Sequence, residues 1–427
     1  MDEHWCCSPA YASILQAVNM DILFLTQILP YPPDAGPKVK TWNVLRYLSR
    51  NGHSVTLVSF VRPEEKQYIP YLKDICKEVY EAPIRRSRLA DMGYMIISFL
   101  TNRPFLVERD DQYLMQEQVN NLIRENDFDF IHADQLTMAQ FAVRGASAFL
   151  EKKPKVIFDA HNAVWTIVER MKENANFLLK PILAVEAKRV KQYEGELLRT
   201  VDHVLAVTDI DRNLLEEALH FSKPEKNDRV SSMTVIPIAV DTQKLQPVNR
   251  KVGSKNIVTL GTLHYPPNAD GIRWFSTEVF PLIYRRLSDV KLTIIGKNPP
   301  PDFLDLAAKN PHLIKVTGYV PDLVPYLEES ALMVVPVRAG GGMRVRILEA
   351  FAYGMPVVTT TLGLEGIQAQ VDEDVFVADT PNAFTNAVCR LMEDKNLQTH
   401  LSMQARRLAE NRYDWKVVLK KLDSIYQ

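Results

Sequence analysis

Arg338-Ala-Gly-Gly-Gly-Met-Arg-Val-Arg-Ile-Leu-Glu349-Ala-Phe-Ala-Tyr-Gly354-Met-Pro-Val-Val358 decides how this chain folds. An apolar run, Leu332–Pro336, leads into it, and a second, Pro356–Thr360, closes it. Uninterrupted Val/Ile/Leu runs are what parallel strands need when both faces are buried. Three glycines followed by a helix lie between them, so the segment reads as strand, loop, helix, strand.

The same unit recurs outward in both directions. In the first half the apolar runs are Met20–Thr26, Val55–Phe60, Phe128–His132, Val156–Asp159 and His203–Val207. In the second half they are Ile257–Gly261, Lys291–Gly296, Ile314–Gly318, Leu332–Pro336 and Pro356–Thr360. One set per half predicts an α/β protein of two Rossmann-like, doubly wound parallel-sheet domains facing across a cleft. Its length of 427 residues exceeds what one hydrophobic core usually serves. The polar stretch around Ser222–Ser232 places the boundary at 225/226. The expected parts are an extension at 1–19, an N-terminal domain at 20–225, a C-terminal domain at 226–405, and a helix at 406–427 that crosses back.

Composition excludes several classes. Basic and acidic residues number 51 and 52, so no net positive field exists to hold nucleic acid. The cysteines Cys6, Cys7, Cys76 and Cys389 are too scattered for a disulfide framework or a zinc site, and they point to a reducing, cytoplasmic setting. No apolar stretch reaches the ~18 residues of a membrane-spanning helix. Met1–Asn19 lacks the basic start of a secretion signal and reads as an extension. Arg85, Arg86 and Arg88 precede the apolar run Met92–Leu100. That order fits either a buried helix with a solvated basic edge or peripheral contact with an anionic membrane.

Ligands of open parallel sheets sit beyond the strands' carboxyl ends. Gly340, Gly341 and Gly342 let backbone N–H groups approach an anion at a helix N-terminus. Arg344 and Arg346 lie where the helix dipole disfavours cations, a local conflict that a bound diphosphate resolves. Glu349, further along, can accept hydrogen bonds from ribose or sugar hydroxyls. The same residues also fit a plain turn with two solvated arginines and a Glu349–Arg pair. Gly36, Pro37 and Lys38, with Thr41 and Asn43, form the first strand–helix turn and read either as an acceptor contact or as a turn alone. His132 and His161 end two buried runs beside Asp134 and Asn162, so they fall at one sheet edge as substrate contacts or as structural histidines. No Gly-x-Ser-x-Gly elbow is present.

From about Met20 to the end, the sequence resembles family 4 of the nucleotide-sugar glycosyltransferases, which have the GT-B fold and retain anomeric configuration. The resemblance rests on an ordered series: Leu29-Pro-Tyr-Pro-Pro-Asp-Ala-Gly36, Phe158-Asp-Ala-His-Asn162, Pro237-Ile-Ala-Val-Asp241, Gly261-Thr-Leu-His-Tyr-Pro-Pro-Asn268, Gly318-Tyr-Val-Pro-Asp322, the glycine–arginine–glutamate segment, and a C-terminal aromatic helix. It implies that Gly36 borders the acceptor side and that His161 lies near the transferred sugar; with Pro37, Lys38, His132 and Asn162, read from the residues above, these are the expected acceptor contacts. Gly261, Thr262 and His264 would enter the donor pocket, and Tyr319 and Val320 would frame the base. Arg344 and Arg346 would meet the phosphates, and Gly341, Gly342 and Met343 are expected among the donor-binding residues. Glu349 would bind ribose as the second member of the family's paired-glutamate motif. His161, Arg344 and Glu349 are the expected catalytic group. The motif's first glutamate is replaced by Gly341, and Arg346 stands where a related branch carries lysine, giving a planar fork in place of a point charge.

The resemblance also implies a nucleoside-diphosphate-sugar co-substrate, no metal or other cofactor, and a saccharide or lipid-linked acceptor from surface polysaccharide or glycolipid assembly. A non-catalytic nucleotide-sugar-binding protein and a hexosamine epimerase of the same fold are the alternatives. A nicotinamide oxidoreductase would need Gly-x-Gly-x-x-Gly after the first strand, where Gln27-Ile-Leu-Pro-Tyr31 stands.

Overall fold

The computed structural model describes residues 19–148, 153–173, 175–223 and 230–427. The expected extension at 1–19, with Cys6 and Cys7, lies outside them except for Asn19. The first sheet contains β1 (Asp21–Thr26), β2 (Ser54–Val61), β3 (Glu78–Pro83), β4 (Phe130–Asp134), β5 (Lys155–Ala160), β6 (His203–Ala206) and β7 (Ser232–Val235). Their spatial order is β3-β2-β1-β4-β5-β6-β7. The second sheet contains β8 (Asn256–Leu260), β9 (Lys291–Ile295), β10 (Ile314–Val316), β11 (Leu332–Val335), β12 (Val357–Thr359) and β13 (Phe376–Val377). Its order is β10-β9-β8-β11-β12-β13. Every pairing in both sheets is parallel.

Two structural differences from the sequence reading concern burial and the seam. β7 pairs with β6 inside the first sheet, so that sheet extends past the expected 225/226 boundary. Of the polar stretch that places the boundary there, residues 224–229 lie outside the described residues, and β7 follows it in the chain. The helix Arg88–Thr101 buries only Ser98, which overturns the reading of it as a buried helix. No helix among the described residues is long and apolar enough to cross a membrane.

The chain's end returns to the first sheet. Trp415, Val418, Leu419, Leu422 and Tyr426 join the core that contains Ile22, Phe24, Val44 and Phe130. Val240 N–H donates to Tyr413 O at 2.9 Å, and Trp415 N–H to Val240 O at 3.0 Å, tying the tail to the connection between the sheets. Arg46 and Arg50 lie over the Trp415 ring, and Tyr47 Oη donates to Asp423 Oδ1 at 2.7 Å.

Parallel register sets Thr26, Asp134 and Asp159 side by side at the ends of β1, β4 and β5. All three are fully buried, which obliges each carboxylate to find a partner. The helix Gly36–Arg50 packs above this row and supplies them. Lys40 Nζ contacts Asp159 Oδ1, and Thr41 Oγ1 lies 3.0 Å from both oxygens of Asp134. His132 is also fully buried: it stacks on Phe24 and shares a 2.5 Å hydrogen bond with Tyr426 Oη. It is therefore a core histidine out of an acceptor's reach, correcting the expected acceptor contact.

Burial alone would raise the Asp159 carboxyl, but the Lys40 ammonium, with His132 and His161, holds it well below the usual range. A depressed carboxyl contributes stability above its unfolded value of about 3.9 that is lost as pH falls through the folded value. Lys40→Met leaves a buried uncompensated charge and should cost about 3–5 kcal/mol at pH 7. With the ammonium gone, burial raises Asp159, so the difference from wild type should shrink as pH falls from 7 toward 4. Urea unfolding of both proteins at several pH values checks this; a difference independent of pH would contradict it.

Candidate active site between the sheets

The order of each sheet reverses between its first strand and the strand that follows the long crossover, and parallel sheets present their crevices at such points. In the second sheet the flanking turns are Gly261–Tyr265 after β8 and Val337–Arg344 after β11. Gly261 is tightly enclosed: a Cβ there would lie 2.9 Å from Ile272 Cδ1. Thr262 O accepts hydrogen bonds from Tyr265 N–H and Asn268 Nδ2. His264 is exposed at the tip.

Gly340 and Gly342 have φ of +90° and +83°, a region side chains rarely adopt, so the turn needs glycine at both. Arg344, at the cap of the helix Val345–Ala352, folds back on the turn. Its Nη1 donates to Gly341 O at 3.0 Å, and its Nη2 lies 3.5 Å from Ala339 O. Its Nε is buried without a protein partner. Burial lowers the pKa of Arg344, with Glu365 and Tyr265 opposing the shift.

Arg346 is likewise lowered by burial, against the pull of Glu349, and burial raises Glu349 against the pull of Arg346. Among the described residues these two form no ion pair, so the plain-turn alternative loses its expected Glu349–Arg contact. The Met343 side chain packs into the hydrophobic cluster of the second sheet, so of this residue only the backbone faces the turn. Tyr319 is exposed beneath the Lys297 ammonium, 4.7 Å from its ring centre, while Val320 packs against the same cluster as Met343.

The first sheet brings its own turns to this surface. His161 follows β5, and its Nε2 lies 2.8 Å from Asp134 Oδ1. The buried row beneath thus fixes the imidazole of a partly exposed residue. Asn162 lies against the glycine turn: a Cβ at Gly342 would be 2.6 Å from its Oδ1. Gly36 approaches the helix after that turn, where a Cβ would be 3.4 Å from Val345 Cγ2. Pro37 opens the helix Gly36–Arg50, so Thr41 and Asn43, read with the turn, lie within that helix. Lys38 is half-buried, 3.9 Å from Asp34, and Asp34 accepts from Lys297 Nζ at 2.9 Å. Gly36 and Asn162 therefore lie against the segment of Gly342 and Val345, with His161 next to Asn162 in the chain, and His132 is buried in the core.

Several residues here were not singled out from sequence. Lys40 sits on the apolar stripe with Val44 and Leu48, a spacing that places a charge in the core. Arg170 on the helix Val164–Glu173 reaches the turn, donating to Gly340 O at 3.0 Å and pairing with Glu365 at 3.0 Å. That helix is anchored by fully buried Glu194, which accepts from Val164 N–H and Trp165 N–H at its first turn. Burial drives the Glu194 carboxyl up to about 8 despite those donors. His132, Asp134 and Asp159 offer possible ligand atoms within 4.8 Å of one another, but Lys40, Thr41 and His161 already engage both carboxylates.

Two family descriptions match the chain: "Glycosyltransferase Family 4" over residues 36–244 and "Glycosyl transferases group 1" over residues 254–394. A protein described as an uncharacterized 44.6 kDa protein in the cps region of Klebsiella pneumoniae is 21% identical, covering 94% of this chain and 98% of its own. Among solved structures, sucrose-phosphate synthase from Thermosynechococcus elongatus superposes with a TM-score of 0.69 at 15% identity, covering 96% and 98% of the two chains. HepE from Anabaena, in complex with UDP and glucose, gives 0.64 at 13% identity, covering 95% and 99%. A mutant of TarM from S. aureus, in complex with Fondaparinux, alpha-GlcNAc-glycerol and UDP, gives 0.63 at 11% identity, covering 96% and 100%. With the two parallel sheets, the shared cleft and these matches in view, the chain belongs to the family 4 glycosyltransferases and is a glycosyltransferase of the GT-B fold.

Proposed function

We propose that the enzyme transfers a sugar, with retention of configuration and without a metal, from a nucleoside diphosphate to a saccharide or lipid-linked acceptor in surface polysaccharide or glycolipid assembly. One observation carries the reading: a glycine turn braced by Arg344, whose buried Nε has no protein partner, closes against Asn162 of the other domain. Cleaving the sugar–phosphate bond leaves negative charge on the diphosphate. Arg344, Arg346 and the turn's N–H groups neutralise it, the task a metal performs elsewhere.

The C1–O bond to diphosphate breaks as the C1–O bond to the acceptor forms on the same face. The acceptor's hydroxyl proton passes to the departing phosphate oxygen. His161, held by Asp134, contacts the transferred sugar, and Glu349 holds the ribose. Tyr319 and Val320 frame the base, with Gly261, Thr262 and His264 at the pocket's entrance. Gly36, Pro37, Lys38 and Asn162 border the acceptor. The cps-region relative and the UDP and glucose bound by HepE support this assignment. A nucleotide-sugar-binding protein without turnover, or an epimerase, would release no glycosylated product, and product analysis separates them.

Arg344→Ala should lower turnover about 10²–10³-fold, as losing one well-placed donor to a developing anion does. Its melting temperature should stay near that of wild type. Nucleotide-sugar turnover in chelator, followed by release of nucleoside diphosphate, checks both the arginine and the independence from metal. Unchanged turnover in Arg344→Ala, or activity that requires a divalent ion, would contradict the assignment.

The lipid-linked acceptor and peripheral membrane contact rest on a different surface. Leu89, Phe99 and Leu100 are 82%, 73% and 76% exposed on the helix Arg88–Thr101. Phe177 and Leu178, just before the helix Lys180–Thr200, and Ile182 within it are 80%, 65% and 57% exposed. Arg189 joins the two, lying over Phe99 and donating to Asn102 Oδ1. Arg85 and Arg88 lie at the start of the first of these helices and Lys180 and Lys188 on the second, beside apolar residues in the chain, the pairing that anionic lipid attracts. Phe99→Ser/Phe177→Ser should abolish co-sedimentation with phosphatidylglycerol vesicles and leave transfer to a soluble acceptor intact. Equal sedimentation of variant and wild type would contradict it.

A further inference from the structure

Gly341 differs from its two neighbours. Gly340 and Gly342 need glycine for their positive φ, but the backbone at 341 lies outside that region. What excludes a side chain there is Arg170: a Cβ at 341 would lie 2.3 Å from its Nη1. That guanidinium crosses from the first domain, donates to Gly340 O at 3.0 Å, and is held from behind by Glu365, 3.0 Å from Nη2. Arg344 grips the next carbonyl, Gly341 O, at 3.0 Å.

A trans peptide is planar, with its N–H directed opposite its C=O. Holding Gly340 O therefore orients the N–H of Gly341, and holding Gly341 O orients the N–H of Gly342. Among the described residues neither N–H has a protein partner, so the two are available to an anion. Successive free N–H groups in a glycine turn are an anion-binding element. The two domains each supply one of the arginines that shape it.

We propose that Arg170 is a positioning residue for the donor's diphosphate, orienting the anion-binding N–H pair only when the domains are together, and that Gly341 is glycine to leave room for it. The inference rests on the nucleotide-sugar reading above. It makes donor affinity depend on a residue of the opposite domain that need not touch the nucleotide. Glu365 keeps the guanidinium aimed at the turn, so that a bound diphosphate does not draw it away.

Calorimetry in chelator with UDP, GDP, ADP and TDP first identifies the diphosphate that wild type binds. Arg170→Ala should weaken that binding about tenfold, the equivalent of one charge-assisted hydrogen bond. Arg170→Lys, which keeps a cationic donor at this position, should recover part of the loss. Gly341→Ala, which only pushes the guanidinium aside, should weaken binding to a similar extent. In the Arg170→Ala background Gly341→Ala should cost nothing further, because the space is then empty. A general loss of stability would not produce that dependence. Additive losses, or wild-type affinity in Arg170→Ala, would overturn the role of Arg170 and leave the donor site standing. Failure of wild type to bind any of the four diphosphates would overturn both.

Discussion

Two backbone carbonyls, those of Gly340 and Gly341, accept from arginines that come from opposite sides of the cleft. The glycine turn that would receive the donor's charge thus takes its shape partly from a domain to which it does not belong. Asn162 against Gly342 and Gly36 against Val345 extend the same closeness along the cleft. Small residues at 36, 341 and 342 are what let the two sheets approach. A larger side chain at any of them would meet Val345, Arg170 or Asn162 before it met solvent.

That approach depends on a rigid first sheet, and there the organising feature is a row of buried charge. Asp134 and Asp159 are adjacent in register, and two buried carboxylates so placed would repel without compensation. Lys40 and Thr41 from one helix, with His161 from the turn above, resolve this. The same contacts orient His161 toward the cleft's edge, so stability and site geometry share one network. His132 and Tyr426 extend it to the chain's last turn. The C-terminus is thereby part of the scaffold beneath the site.

Much of this was legible in the sequence. Ten apolar runs became ten parallel strands, all but β10 largely buried, because burial on both faces leaves little choice of residue. The glycine turn and its arginines were legible because they break local rules for helix starts. Three of the four edge strands were not: β3 is largely exposed, β13 has two residues, and β7 follows the polar stretch where the boundary was expected. His132 misled because the end of a strand does not reveal whether a chain terminus packs over it. Lys40 carried a signal in its spacing from Val44 and Leu48. Arg170 and Glu365 carried none, since 195 residues separate them and only the meeting of two domains pairs them.

Hydrogen exchange of the intact protein in chelator, with and without a saturating nucleoside diphosphate, reports on both halves of the cleft at once. If the nucleotide is held between the domains, amides of 339–349 and of 161–171 should both become protected. Protection confined to 339–349 would mean that the second domain binds donor alone, and that the contacts across the cleft do not serve the site.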